Sequence, residues 1–230
     1  MDEQKVIAQL IAEGYHDAAA YDEAPGTGQA EHTHPDEAKI VIISGETEIS
    51  FGSARRTLRP GDVLVIPKDT LHASKAGQEG ARYVLGEKPG TDSAIQFFHD
   101  HYSCLSNFSA HMITYQGEVY MTSEHAYQAA KFSTPAMRAS IKEAPSAFLV
   151  HEFGQSKEGR TPDFDKVAIM KEIMRAKMEQ HEEVRWALLS TGHQPIEKNH
   201  PSDYFWGIGA DRSGQNVMGK IWMELRSEML

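Results

Sequence analysis

Glu87-Lys88-Pro89-Gly90-Thr91-Asp92-Ser93 separates two stretches of this 230-residue chain that are built on different patterns. Every residue in it is polar or turn-forming and it lies between apolar segments, which is the composition of a linker. Upstream the pattern is strand. Lys39–Ile43 is β-branched and ends at Gly45, and Thr47–Phe51 alternates before Gly52. Thr57–Arg59 leads into Pro60-Gly61, Val63–Ile66 stops at Pro67, and Ala81–Leu85 closes the series. Short strands punctuated by Gly and Pro in this way predict a small all-β barrel or sandwich over residues 1–92.

Downstream, over residues 93–230, the texture is mainly helical with a little strand, an α+β domain. Asp165–Gln180 carries Val167, Met170, Met174 and Met178 at spacings of three and four, one apolar stripe that reads as core. Glu182–Ser190 follows and stops at Gly192, and a last helix from about Gln215 buries Met218, Ile221, Trp222 and Leu225. Met112–Tyr115 is strand-like.

Composition narrows the function only by exclusion. A formal charge of −10 argues against a broad basic surface for a phosphate backbone, though a local pocket for one or two phosphates is compatible with it. The single cysteine, Cys104, allows no internal disulfide and fits a reducing compartment. No apolar run approaches the ~20 residues that span a bilayer. Met1–Lys5 leads into no signal-peptide core, so a cytoplasmic protein with no membrane partner is expected.

The chemistry-bearing residues of the second half fall in four clusters. Ser123 to Lys131 reads as the start of a helix, with Thr122 or Ser123 as N-cap and three alanines after it. Glu124, Gln128 and Lys131 then share one face, and neighbouring Tyr127 and Phe132 suggest that the helix is buried. A buried lysine needs a partner or a depressed pKa. Asn107, in Leu105-Ser106-Asn107-Phe108, offers donors and an acceptor to a ribose or a base edge, or caps a turn. Glu197, bracketed by Pro195 and Pro201, reads as a loop residue. In Asp203-Tyr204-Phe205-Trp206-Gly207-Ile208-Gly209, Asp203 supplies a second carboxylate and Trp206 a face for stacking or for the core. Gly207 permits close backbone approach. Arg160 is the best-placed phosphate clamp, and Asn216, with Gly219, starts the last helix, whose free N–H groups favour an anion.

In order and spacing these clusters, from about Ile95 onward, resemble the NADAR superfamily. The resemblance implies an N-glycosidase acting on a base joined to ribose 5-phosphate or ADP-ribose. Two substrates fit: the ribosylaminopyrimidine phosphate of riboflavin biosynthesis, and ADP-ribose attached to guanine. It makes Lys131, Glu124, Glu197 and Asp203 the catalytic candidates, with Lys131 engaging the ribose carbon through a Schiff base. Asn107, Gln128, Arg160, Trp206, Gly207 and Asn216 become substrate contacts. No cofactor is expected for this domain. Partners are the small ribose phosphate or ADP-ribose substrate, with room for ADP-ribosylated nucleic acid.

The first half holds its own constellation. His32-Thr33-His34 places two imidazoles on one side of an extended segment, and His72 follows Gly61 and Pro67. With Gly28, Glu37 and Gly45, these residues resemble the two cupin motifs. The resemblance implies that His32, His34 and His72 hold a divalent metal inside the barrel, with Glu37 as a candidate fourth ligand. Ala38 occupies the usual glutamate slot and Ala76 that of the asparagine, so Glu37 would need a bulge near Pro35 to face inward. Imidazole suits Zn, Fe, Mn, Ni or Cu alike. A homodimer through the barrel is a further expectation of this likeness. The competing readings are a non-enzymatic module that senses nucleotide or ADP-ribose, and a metal-dependent cupin enzyme.

Overall fold

The structure, a computed structural model, describes residues 1–91, 93–97 and 100–229, excepting the side chains of residues 100 and 101. Asp92, within the sequence break, lies outside the described residues. The chain forms two compact units, Met1–Ile95 with Leu188–Pro195, and Gln96–Ala187 with Ile196–Leu230.

The first unit is an antiparallel sheet of five strands: β1 (His16–Glu23), β2 (Glu37–Phe51), β3 (Ala54–Leu58), β4 (Val63–Ile66) and β5 (Ala73–Lys88). The order is β1-β5-β2-β3, with β4 also on β2. Lys39–Ile43 and Thr47–Phe51, which read as separate strands, belong to the single 15-residue β2. Gly45 is a bulge and not a turn: its φ is +69°, and a Cβ there would come within 2.2 Å of the Gly80 carbonyl oxygen. Pairing with β5 slips on both sides of it. The kink lets one long strand serve both ends of a curved sheet. β5 runs through Glu87 and Lys88, so the irregular stretch begins only at Pro89.

Two elements of this unit have weak signatures in the sequence. Helix α1 (Glu3–Ala12), capped by Asp2, packs Val6 and Leu10 on Tyr15, Val41 and Val84. β1 has no β-branched residue and is a strand because β5 pairs with it.

The second unit surrounds helix α2 (Ser123–Ala130), buried from Ser123 through Ala129. Helices α3 (Pro135–Glu143), α4 (Ala147–Phe153) and α5 (Lys166–Gln180) pack against it. α6 (Glu182–Ser190, of which the residues up to Ala187 belong to this unit), α7 (Val217–Ser227) and a small hairpin (Ile113–Tyr115, Glu118–Tyr120) complete the described elements of regular length. The expected stripe on α5 is core: Met170, Ile173, Met174 and Met178 are buried, while Val167 stands exposed at the helix start. Trp222 of α7 is fully buried and its Nε1 donates to the Leu105 carbonyl, 3.1 Å away. His125 is likewise architectural, joined to Thr122 Oγ1 at 2.8 Å and to the Ala144 carbonyl at 3.0 Å. Among the described residues, no helix is long and apolar enough to cross a membrane.

Candidate functional sites

In the first unit the two halves of the histidine set meet because their backbones pair. His32 N–H donates to the His72 carbonyl at 2.9 Å and His72 N–H to the His32 carbonyl at 3.0 Å. Ligand atoms of His32, His34 and His72 all lie within 4.8 Å of one another. Each Nδ1 faces an acceptor: the Ala30 carbonyl at 2.8 Å for His32, Glu87 Oε1 at 3.1 Å for His34, and the Thr70 carbonyl at 2.8 Å for His72. Those bonds fix the tautomer with its proton on Nδ1 and free Nε2. His32 Nε2 and His34 Nε2 then stand 3.1 Å apart, two lone pairs facing each other. Only a proton or a cation between them relieves that opposition, and two donors about 2.1 Å from one ion are separated by about 3.0–3.4 Å. The donor set therefore fits a divalent metal.

The structure corrects the fourth ligand. Glu37 accepts from Tyr15 Oη at 2.7 Å and from Lys88 Nζ at 3.1 Å, outside the histidine cluster. No bulge precedes it; β2 starts at Glu37, so Ala38, one residue on and 1% exposed, lines the cavity instead. Beside the histidines the cavity is walled by Ile40, Ile49, Ile66 and Leu85. Burial raises the pKa of Glu23, another lining residue.

The second unit's site is built on α2. Glu124 is buried, and its Oε1 accepts from Gln128 Nε2 at 2.6 Å and from His151 Nδ1 at 3.0 Å. Gln128 Oε1 is buried with no hydrogen-bond partner. Lys131, half-buried at the C-terminal end of α2, sits with Nζ 4.8 Å from the centre of the Tyr127 ring. Burial pushes its amine down to about 8; Glu124 opposes the shift and Arg160 adds to it. Tyr127 meets Trp206 edge to face at 5.7 Å, so the lysine, the phenol and the indole form one wall. Asn107 enters the cluster through its carbonyl, which accepts Glu124 N–H at 3.1 Å. Its Nδ2 points at Met170 Sδ, and its buried Oδ1 has no partner.

The carboxylates of the second cluster are all engaged. Burial alone would push Asp203 up, but Lys198 Nζ at 2.6 Å and the N–H groups of Phe205 and Trp206 hold it below the ordinary range. Glu197 takes Arg212 in a two-oxygen clamp at 2.9 and 2.8 Å. It lies in a two-residue strand, Ile196–Glu197, where the sequence read as loop.

Three expected substrate contacts serve the fold. Asn216 Oδ1 accepts Lys198 N–H at 3.0 Å and Nδ2 donates to the Ile196 carbonyl at 2.9 Å. Its backbone is left-handed, φ 51°, and both ends of its side chain tie a loop to the helix start. At Gly207 a Cβ would come within 2.7 Å of the Lys198 carbonyl oxygen, so the close approach is to the protein's own backbone. Arg160 is exposed and spends Nε and one terminal nitrogen on the carbonyls of Ser156 and Gly154, at 2.7 and 2.8 Å. Two residues that the sequence reading passed over join the site, His151 and Lys198. Neither stood in a recognised pattern, and α4, which carries His151, has only seven residues.

A buried carboxylate and a half-buried amine thus lie along one helix, with the rings of Tyr127 and Trp206 beside the amine. Residues 96–230 match the NADAR domain family, and the chain belongs to it; residues 21–85 match the Cupin domain family. Over 143 residues the chain is 33% identical to the N-glycosidase YbiA of Shigella flexneri, covering 60% of this chain and 89% of that protein. It is 33% identical over 144 residues to riboflavin biosynthesis protein VVA0006 of Vibrio vulnificus, spanning 39% of that longer protein. The NMR structure of Escherichia coli YbiA superposes with a TM-score of 0.56 at 33% identity, covering 60% of this chain and 86% of that one.

Proposed function

We propose that residues 96–230 hydrolyse the N-glycosidic bond between a base and a ribose 5-phosphate or ADP-ribose moiety. The observation that carries this reading is Lys131: an amine with its pKa pushed down to about 8, beside the Glu124 carboxylate and under an aromatic wall. At neutral pH an appreciable fraction of such an amine is unprotonated and nucleophilic. It attacks the ribose C1′, and the C1′–N bond breaks with its electron pair passing to the base. Ring opening leaves an imine, and water hydrolyses it to the ribose aldehyde and free Lys131. Glu124 stabilises the positive charge that grows at C1′. Trp206 gives the base a face to stack on. The name of the Vibrio relative favours the ribosylaminopyrimidine phosphate over ADP-ribosylated guanine as substrate.

The barrel would hold a divalent metal through His32, His34 and His72. Such an ion supplies a Lewis-acidic centre with positions open to a small ligand. His34 is oriented for it by Glu87, and the other two by backbone carbonyls.

The glycosidase reading is tested by incubating the protein with each of the two substrates and following release of ribose phosphate or ADP-ribose by mass spectrometry. Borohydride added during turnover should reduce the imine and leave a stable adduct on Lys131. Product without any trapped adduct would remove the covalent step, and absence of product from both substrates would remove the activity.

A further inference from the structure

We propose that His151 is the acid of the C-terminal site: seated on Glu124, its imidazolium delivers the proton that the departing base requires. This inference rests on the glycosidase reading above.

A base leaving ribose carries away an electron pair and must gain a proton. The carboxylates of the site are badly placed to give one. Glu124 accepts two hydrogen bonds on Oε1, Asp203 is bonded to Lys198, and Glu197 is clamped by Arg212. Lys131 must itself be unprotonated to attack. His151 is an acid that bonds Glu124 directly and keeps more than half of its side chain exposed.

Its placement is not accidental to the fold. Ser146 caps α4, Val150 anchors the helix in the core, and Gly154 follows the last turn. A Cβ on Gly154 would come within 1.7 Å of Gln128 Oε1, so the end of α4 is pressed onto α2, and His151 comes down on Glu124. The imidazole Nδ1 takes the carboxylate, and the side chain is 53% exposed. Nε2 is 3.4 Å from Gln155 Nε2, and the exposed ring of Phe108 lies 6.2 Å away, centre to centre. One ring nitrogen is thus held by Glu124, while the other has only the long 3.4 Å contact to Gln155 Nε2, which a base nitrogen would replace. Position in the last turn of α4 also favours a cation there.

The groups that act on its charge come from two places, α2 and the segment after Ile196–Glu197. Glu124 on α2 favours the imidazolium through the hydrogen bond, while partial burial, Lys131 on α2 and Lys198 near Ile196–Glu197 oppose it; the net direction is upward. Protons balance over the cycle. His151 gives one to the base nitrogen as the C1′–N bond breaks; the Lys131 adduct nitrogen, then an ammonium with two N–H protons, returns one to His151 and passes the other to the ring oxygen as the ring opens to the imine.

The test uses the full-length protein and the substrate that the wild type turns over. In His151→Gln, kcat should fall about 100-fold with KM changed less than about threefold, and the pH profile should lose one of its two limbs. Imidazole added to His151→Ala should restore turnover, because the position is open to solvent. An unchanged rate and profile in His151→Gln, or a rise in KM with kcat intact, would overturn the proposal while leaving the glycosidase reading standing. A wild type inactive on both substrates would overturn that reading and this inference with it.

Discussion

The barrel and the helical unit assemble their sites in opposite ways. In the barrel, three identical side chains converge, each fixed at Nδ1 by an acceptor, and what they present to one point is a set of Nε2 lone pairs. In the helical unit the groups differ, and the charges are already spent on one another: Lys198 with Asp203, Arg212 with Glu197, His151 with Glu124. Lys131 is different: it is half-buried over the Tyr127 face, with Glu124 and Arg160 acting on its charge in opposite directions. On the reading proposed above, one unit receives a cation, while the other keeps one amine in a form that can react. Backbone pairing creates the first property, and removal of water creates the second.

The largest expected effect tests the reactive amine. Lys131→Ala should lower kcat by about 10³-fold or more, because a group that acts in the bond-making step is lost. In the wild type, kcat/KM should fall as pH drops below about 8, where the amine takes up its proton. Glu124→Gln removes the charge that holds this pKa up, so its acid limb should move to lower pH. A limb that stays in place in that variant would show that Glu124 does not act on Lys131.

Metal uptake comes next in size and examines the other side of the contrast. His72→Ala removes one of three ligands and should abolish stoichiometric binding of Zn or Mn, read by elemental analysis after dialysis. Glu87→Ala leaves all three ligands but frees His34 Nδ1, and the expected loss of affinity is about 10–100-fold. Equal affinity in Glu87→Ala and wild type would mean that the tautomer is set by something other than the carboxylate.

The contrast also explains what could be read from the sequence. His32, His34 and His72 were legible because a strand repeats every two residues, and identical donors at such spacing have few other uses. Glu124, Gln128 and Lys131 were legible for the parallel reason on a helix, where they share one face. Glu37 was misplaced by a single residue of strand parity. Asn216 and Gly207 were less legible, because a polar or flexible residue in a loop serves the backbone as readily as a ligand, and the structure adds the backbone partners that the sequence could not show. His151 left no sign, since its meaning depends on a helix packing, α4 on α2, that no local pattern encodes. The same limit hid β1, a strand by virtue of its neighbour.

The smallest expected effect concerns a second lysine in the helical unit. Lys177 on α5 is 0% exposed, and its Nζ donates to the Ser106 carbonyl at 2.7 Å and to Ser109 Oγ at 2.5 Å. It therefore ties down the loop that carries Asn107. Burial pushes its amine down to about 7, whereas in the unfolded chain a lysine titrates near ~10.4. Between those values the unfolded chain binds more protons than the folded one, so stability rises with pH across that window and is lost as pH falls toward 7. Lys177→Met removes this dependence. It also leaves the Ser106 carbonyl without the Lys177 donor, but that cost does not change with pH. The melting temperature of the wild type should thus climb relative to Lys177→Met between pH 7 and 10, by on the order of 10 °C for a chain of this size. A constant difference across the range would mean that Lys177 keeps its charge in the folded state. Depressing a lysine's pKa would then be particular to Lys131 and not a general property of this unit's interior.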